Sequence, residues 1–311
     1  MAGENEMFAS EFILLGFSNQ ADLQVMFFVL FCAIYVVTLL GNLGVIVLIR
    51  IDLRLHTPMY FFLSHLSLLD ICYSSTIIPQ SLRDFLAGKT VISFVICVTQ
   101  LSFTTWATSE CHVLATIAYN HYVAICRPLL YSMLMAQRIC IGMLAGPDLA
   151  GVLSSTLHTV SIYHAPFCHS WAIEHFFCDG PLLLALSCSG TLASEAVVAP
   201  VVEFNVLSTT AFILVSCSSV LTAVWRICSA AGQHKTLSTC ASHLASVALY
   251  HGSSILMYLR PVSSHSLEQD KFISLVYSVT VPTLSLFLYS LRNADMRNTM
   301  RKAKNRILSA W

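Results

Sequence analysis

Two carboxyl groups lie alone within long apolar stretches of this chain. Asp70 is the only charged residue of the segment 55–82, and Glu110 is the only one of the segment 90–126. A carboxylate away from water is costly unless it is paired, hydrogen-bonded or protonated. If the two groups face each other, either one of them holds a proton or a cation lies between them. A single hydrogen-bonded carboxylic acid joining two helices is the alternative, and the sequence leaves this choice open.

A second group of polar side chains is a weaker candidate for chemistry. His175, Cys178 and Asp179 have the side chains and the close spacing of a zinc or copper site. A metal needs the thiolate form of the cysteine, which a disulfide-bonded cysteine cannot provide. We therefore expect no metal here and favour a structural disulfide at Cys178.

The elements that position these groups are seven long apolar runs. Each is long enough to cross a hydrocarbon core of about 30 Å as a helix of roughly 20 residues. The sequence therefore predicts an all-α membrane protein, a seven-transmembrane helix bundle. The runs lie between residues 22 and 50, 54 and 83, 89 and 127, 138 and 161, 203 and 226, 235 and 260, and 271 and 292.

Composition and charge support the same architecture. Only 10% of the residues are charged, against about 25% in a soluble domain. The basic residues gather on one side of the predicted spans, so that side is cytoplasmic and the N-terminus is outside. We expect an extracellular segment 1–22, a seven-transmembrane domain 23–291 and a cytoplasmic tail 292–311 with a short amphipathic helix on the membrane. Lipid is an expected partner and nucleic acid is not. The short loops leave no room for a catalytic domain, and no nucleophile and base stand at a recognisable spacing, so an enzyme is not expected.

Several strings resemble olfactory receptors, which are rhodopsin-like G-protein-coupled receptors. The resemblance runs from about Glu11 to Arg306 and implies a plasma-membrane receptor for small volatile odorants that activates a stimulatory heterotrimeric G protein. The strings that carry it are Gly41-Asn42, Leu55-His56-Thr57-Pro58-Met59-Tyr60-Phe61-Phe62-Leu63, Ala118-Tyr119-Asn120-His121-Tyr122-Val123-Ala124-Ile125-Cys126-Arg127-Pro128-Leu129, His234-Lys235-Thr236-Leu237-Ser238-Thr239-Cys240-Ala241-Ser242-His243 and Tyr289-Ser290-Leu291-Arg292-Asn293.

The same resemblance suggests roles for particular residues. It points to a sodium pocket around Asp70 and Glu110, with Asn42 and Ser285 nearby, and no other cofactor is expected. Four cysteines lie on the predicted extracellular side and allow three pairings. We expect a bridge from Cys97 to Cys178, which would tie a long loop to the third span, and a second bridge from Cys168 to Cys188 within that loop.

Helical spacing suggests a ligand pocket in the outer half of the bundle. Residues three or four apart share one face of a helix, and such faces on four spans would form a mostly apolar cavity with a few polar groups. Interhelical packing without ligand contact is the alternative for each residue. The proposed pocket residues are Thr104, Thr108, Val202, Asn205, His251, Ser254, Ile255, Tyr258 and Tyr277.

The predicted G-protein end departs from the family pattern. Asn120-His121-Tyr122 stands in place of Asp-Arg-Tyr, and Ser285-Leu286-Phe287-Leu288-Tyr289 in place of Asn-Pro-x-x-Tyr. Histidine lacks the permanent forked cation of arginine, and the missing proline removes a kink. We assign G-protein coupling to Asn120, His121, Tyr122 and Tyr289.

Three further departures lie within the spans. Cys217 replaces a tyrosine, Asp148 replaces a tryptophan, and the chain is one residue shorter than its relatives between Cys97 and Asn120. Such a deletion rotates the two parts of a helix by about 100°. Two hypotheses follow: an odorant receptor with weakened coupling, or a non-signalling membrane protein of receptor fold that binds a ligand or partner receptors.

Overall fold

Apolar helices dominate the computed structural model of this chain. It describes residues 11–16, 21–87, 91–107, 109–163, 171–186, 192–226, 230–258, 267–288 and 296–302. Within these residues four helices are long and apolar enough to span a membrane: Leu23–Ile51, Pro58–Ala87, Gln137–Ile162 and Glu203–Val224. Only 11% of the most apolar stretch of the first helix is buried, against 56% of that of the second helix. The first helix is thus peripheral and the second central.

The helices form the seven segments of the predicted bundle. Helices suit this environment because they satisfy every backbone polar group within the segment. The third segment consists of two helices, and the seventh contains a π-helical turn at Val276–Thr280. The helices are α1 Ala21–Ile51, α2 Pro58–Ala87, α3 Phe94–Ala107, α4 Glu110–Cys126, α5 Tyr131–Leu134, α6 Gln137–Tyr163, α7 Gly180–Ala185, α8 Leu192–Val224, α9 Ala230–Tyr258, α10 Leu267–Leu275, α11 Val281–Leu286 and α12, residues 296–302.

The third segment changes geometry between α3 and α4. Ser109 donates its backbone N–H to the carbonyl of Trp106 at 3.0 Å, and His112 donates to Ser109 at the same distance. The first bond is of the i→i+3 kind found in a 3₁₀ turn, which rises about 2.0 Å per residue, against 1.5 Å in an α-helix. Ser109 also accepts from the N–H of Val113 at 3.2 Å, so α-helical bonding resumes there. Three residues of such a turn add about 1.5 Å of length and roughly 60° of rotation. Such a turn would offset the length, and part of the rotation, of the one-residue deletion that the sequence predicts here.

A small sheet covers one end of the bundle. The strand β1, Glu11–Leu14, lies between β2, Val91–Ser93, and β3, Ala172–Ile173, antiparallel to the first and parallel to the second. Alternate side chains of β1 are buried, so one face of the strand packs onto the bundle. We call this end of the molecule the sheet end.

The predicted bridge between Cys97 and Cys178 is confirmed at the sheet end. The two cysteines form a disulfide that joins the start of α3 to the segment after β3. The second predicted disulfide joins Cys168 and Cys188, which lie outside the described residues.

The opposite end, which we call the tail end, carries the loop after α1 and the helix α12. Asp52 in that loop accepts hydrogen bonds from the backbone N–H of Arg54 and from the hydroxyl of Thr299, each at 3.0 Å. The first of these bonds in particular holds the pKa of Asp52 below its ordinary value. In α12, Met296 is buried and Met300 packs against the core while Arg297 and Arg301 are exposed. The predicted amphipathic character is therefore present over 296–302.

Candidate ligand and switch site

A buried hydrogen bond joins the second and seventh segments near mid-bundle. Ser285 of α11 donates its hydroxyl to Asp70 Oδ2 of α2 at 2.8 Å, and Asp70 is only 2% exposed. The carboxyl of Glu110, at the start of α4, is also buried and close enough to Asp70 to interact with it electrostatically. The structure thus brings the two predicted carboxyl groups and Ser285 into one region.

Further buried oxygen atoms on α1 and α2 lack hydrogen-bond partners among the described residues. They are Asp70 Oδ1, Asn42 Oδ1 and the hydroxyl of Ser74, which lies one helical turn from Asp70 on α2. Asn42 lies one turn from Thr38, whose hydroxyl is 2.6 Å from that of Thr283 on α11. Buried polar atoms normally have a partner. This oxygen-rich set fits a small hard cation, which is bound by carboxylate, amide and hydroxyl oxygens.

Leu286, which stands in place of the family proline, fills a gap beside α1. A methyl group added to Gly41 would overlap Leu286 Cδ2, so this glycine permits close approach of α1 and α11. The seventh segment nevertheless has its own irregularities, because the π-helical turn at Val276–Thr280 is followed by Pro282. Both features weaken regular α-helical hydrogen bonding. These irregularities precede Leu286, the position at which the sequence predicts the loss of a kink.

Hydroxyl and imidazole groups form a buried polar cluster between α8, α9 and the seventh segment. Thr209 Oγ1 lies 3.2 Å from His251 Nε2, and the hydroxyl of Tyr277 donates to that of Tyr250 at 3.5 Å. Ser254 is also buried, and it donates its hydroxyl to the carbonyl of Tyr250. We call Thr209, Tyr250, His251, Ser254 and Tyr277 the polar cluster.

Three of the predicted pocket residues therefore come together: His251, Ser254 and Tyr277. Thr104 is buried but bonds to its own helix, and Asn205 is half-buried with its carbonyl accepting from Thr209. Ile255 is exposed, so it does not share the buried face of His251 and Ser254. Thr108 and the side chains of Val202 and Tyr258 lie outside the described parts of the structure.

Sequence reasoning missed two members of the polar cluster. Thr209 lies one turn after Asn205 on α8, and Tyr250 lies one turn before Ser254 on α9. Extending the predicted faces by one turn would have included both residues.

At the tail end, the three residues in place of Asp-Arg-Tyr have distinct environments. Asn120 is buried and accepts a 3.0 Å hydrogen bond from the hydroxyl of Tyr131 on α5. Tyr122 stacks against Tyr119 with ring centroids 6.2 Å apart. The ring of His121 lies 5.6 Å from that of His243 on α9. Tyr289, the fourth predicted coupling residue, lies outside the described residues.

Asp148, which replaces a tryptophan in α6, has a partner. Its Oδ2 lies 3.0 Å from Nε2 of His65 on α2, and Oδ1 lies 3.3 Å from the same nitrogen. The side chains are only 18% and 25% exposed, for His65 and Asp148 respectively. An acidic residue inside a span is costly unless it is paired, and this contact provides the pairing.

The weak metal candidate lacks its thiolate ligand. Cys178 is bonded to Cys97, and His175 is buried against the rings of Phe176 and Phe177 at 4.7 and 4.6 Å. Asp179 Oδ1 accepts from the backbone N–H of Gly180. This arrangement is structural packing at the sheet end.

Comparison with known proteins agrees with this architecture. A family model described as olfactory receptor matches residues 31–306. Olfactory receptor 8U3 of Mus musculus is 45% identical over 97% of this chain and 95% of its own length. Olfactory receptor 5AR1 of Homo sapiens is 45% identical over 97% of this chain and 98% of its own length. The chain therefore belongs to the olfactory receptor family, a family of multi-pass membrane receptors and not of enzymes.

Proposed function

We propose that this protein binds small volatile odorants within its helix bundle and signals through a stimulatory heterotrimeric G protein. It lies in the plasma membrane with its N-terminus and sheet end outside and its tail end in the cytoplasm. Family membership supports this receptor function, and the comparisons give no support to the non-signalling alternative. The basic residues of the tail-end loops and α12 support the orientation.

The polar cluster is the observation that supports a ligand site within the bundle. Its groups adjoin the apolar core of the bundle, of which Tyr250 and Tyr277 are part, and they belong to three different segments. Pockets of this kind bind a mainly hydrophobic molecule and orient it through a few polar contacts. An odorant with one hydroxyl or carbonyl group would exchange the contact between Thr209 and His251 for contacts of its own.

The oxygen-rich set around Asp70 is the proposed sodium site. Asp70 would supply the charge, and Asn42, Ser74 and Ser285 would supply neutral oxygens. A bound cation would also offset the repulsion between Asp70 and Glu110 if both are ionised. This site lies beside the seventh segment, whose π-helical turn and Pro282 give it local freedom to rearrange.

Coupling to the G protein is the weakened step in this proposal. His121 cannot offer the forked cation of arginine, although Asn120 keeps a hydrogen bond to α5. A ligand shifts the active population only by its differential affinity for the two states. We therefore expect lower efficacy with ligand affinity preserved.

A cellular assay tests the ligand site and the coupling separately. Cyclic AMP is measured per unit of surface-labelled receptor while small volatile alcohols, aldehydes and ketones are screened. Thr209→Val should raise the half-maximal concentration of an agonist about 2- to 10-fold, since one hydrogen bond contributes about 0.5–1.5 kcal/mol. Among the described residues, the neighbouring Thr210 bonds only within its own helix, to the carbonyl of Val206, so Thr210→Val is the matched control.

The coupling variants are His121→Arg and Leu286→Pro. Each should raise the maximal response and leave the half-maximal concentration within a few-fold of the parent. A parent response equal to that of related receptors would show that these substitutions do not weaken coupling. If Thr209→Val and Thr210→Val change the half-maximal agonist concentration equally, the polar cluster is not part of the ligand site.

A further inference from the structure

Two histidines face each other across the tail-end contact between the third and sixth segments. His121 lies on α4 and His243 lies on α9, and their ring centroids are 5.6 Å apart with the ring planes inclined at 55°. His243 is 2% exposed, whereas His121 retains an exposed part. The pair therefore lies at the edge of the buried core, next to solvent.

This spacing matches two imidazoles that share one metal ion. A Zn–N bond is about 2.0–2.1 Å long, which places a ring centroid roughly 3.2 Å from the metal. Two such rings at a tetrahedral angle have centroids about 5.2 Å apart. The observed 5.6 Å requires only a small rearrangement. Imidazole is a preferred ligand of zinc, copper and nickel, whereas magnesium prefers oxygen.

We propose that His121 and His243 form a two-histidine site for a divalent transition-metal ion, with zinc as the model ligand. The described residues contain no group of three or more histidine, cysteine or acidic side chains suited to a metal, so water completes the coordination. The site exists because His121 stands where relatives carry arginine, which has no lone pair to donate. A bound ion would clamp α4 to α9.

The clamp has a consequence that rests on the proposed function. If the sixth segment must move away from the third to admit a G protein, an ion that holds them together opposes activation. Zinc should then raise the agonist concentration needed for a response.

The first test measures metal binding without any signalling. The full chain, in lipid nanodiscs and free of affinity-tag histidines, is heated at increasing concentrations of zinc or magnesium. A ligand that binds only the folded state raises the melting temperature progressively with its concentration. We expect zinc, but not magnesium, to raise it, and His121→Ala and His243→Ala each to remove most of the zinc-dependent part.

Three further variants keep the test decisive. His112→Ala is the matched control, since this half-buried histidine lies on the same helix beside Cys111 and should leave the zinc shift intact. If His243→Ala does not fold, His243→Asn and His121→Arg serve in its place. An equal zinc shift in the parent and in the His121 and His243 variants, or no shift in the parent, would overturn the metal site.

The second test is agonist-driven cyclic AMP from membranes exposed to zinc on the cytoplasmic face. Zinc should raise the half-maximal agonist concentration in the parent and not in His121→Arg. A melting shift without any agonist response in either protein would contradict the proposed signalling function but support the metal site. If zinc raises the melting temperature but does not alter the cyclic AMP response, only the clamp is refuted.

Discussion

Removal of His65 should leave Asp148 as an unpaired acidic group within a membrane span. Asp148 lies eleven residues after the start of α6, a helix of 27 residues, which places it about 16 Å along the helix and near its middle. A carboxylate at the centre of a span costs about 2.5–3.5 kcal/mol on insertion scales. The contact with His65 at 3.0 Å is of the charge-assisted type, worth about 1.5–3 kcal/mol. We therefore expect His65→Ala to destabilise the bundle by about 2–3 kcal/mol.

A double-mutant cycle measures this contact. The four proteins are the parent, His65→Ala, Asp148→Ala and the double variant, and the readout is the free energy of thermal unfolding in nanodiscs with surface delivery as a second measure. Because Asp148→Ala removes the acidic group, the double variant should be more stable than His65→Ala alone. His158→Ala is the matched control, since within the described part of the chain His158 bonds only to Ser154 of its own helix.

One outcome of the cycle would contradict the pairing of His65 with Asp148. Strictly additive losses, with no recovery in the double variant, would show that His65 and Asp148 act independently. Asp148→Trp, which restores the family residue, should relieve the requirement for His65 in the same way as Asp148→Ala.

Gly41→Ala should cost about 1–3 kcal/mol in unfolding free energy, because the added methyl overlaps a side chain in a packed core; Leu286→Ala should recover part of it. Lys271→Ala should increase amide exchange in β1, since the ammonium donates to two carbonyls just after that strand at 2.7 and 2.8 Å, and Lys271→Arg should preserve much of the protection. The contact between Asp52 and Thr299 should persist above the ordinary carboxyl pKa and weaken as pH falls through the lowered pKa of Asp52. The protection factors of the α12 amides, corrected for the intrinsic exchange rate at each pH between 6 and 3, measure this, and Asp52→Ala should remove their pH dependence; identical profiles of the protection factors in the parent and Asp52→Ala would contradict it.

The helical segments and one bridge could be predicted because their signals are local. Apolar runs of span length indicate helices, and their order along the chain places Cys97 and Cys178 at the same end of the bundle. The meeting of Asp70, Glu110 and Ser285 was also predicted, but on the basis of the family resemblance. Helical periodicity alone shows which residues share a face, and it does not show which faces meet.

The features that escaped prediction depend on contacts between distant segments. The sheet uses strands of two to four residues, too short to show an alternating pattern. The pairing of His65 with Asp148 requires the relative rotation of α2 and α6, which neither helix encodes alone. The same is true of Thr209 and His251, because their contact depends on how α8 and α9 are rotated.

The 3₁₀ turn between Ala107 and Glu110 sets a rule for building chimeric receptors from this chain. The one-residue deletion predicted from the sequence would give residues before and after the turn different numbering offsets relative to other family members. The turn restores about 1.5 Å of height, so equivalent positions coincide in space better than an ungapped alignment suggests. A junction placed inside the turn would either add an overwound turn to the donor helix or leave the helix of this chain about 1.5 Å too short. Junctions should therefore lie beyond both ends, so that the whole of α3 and α4 is transferred as one cassette.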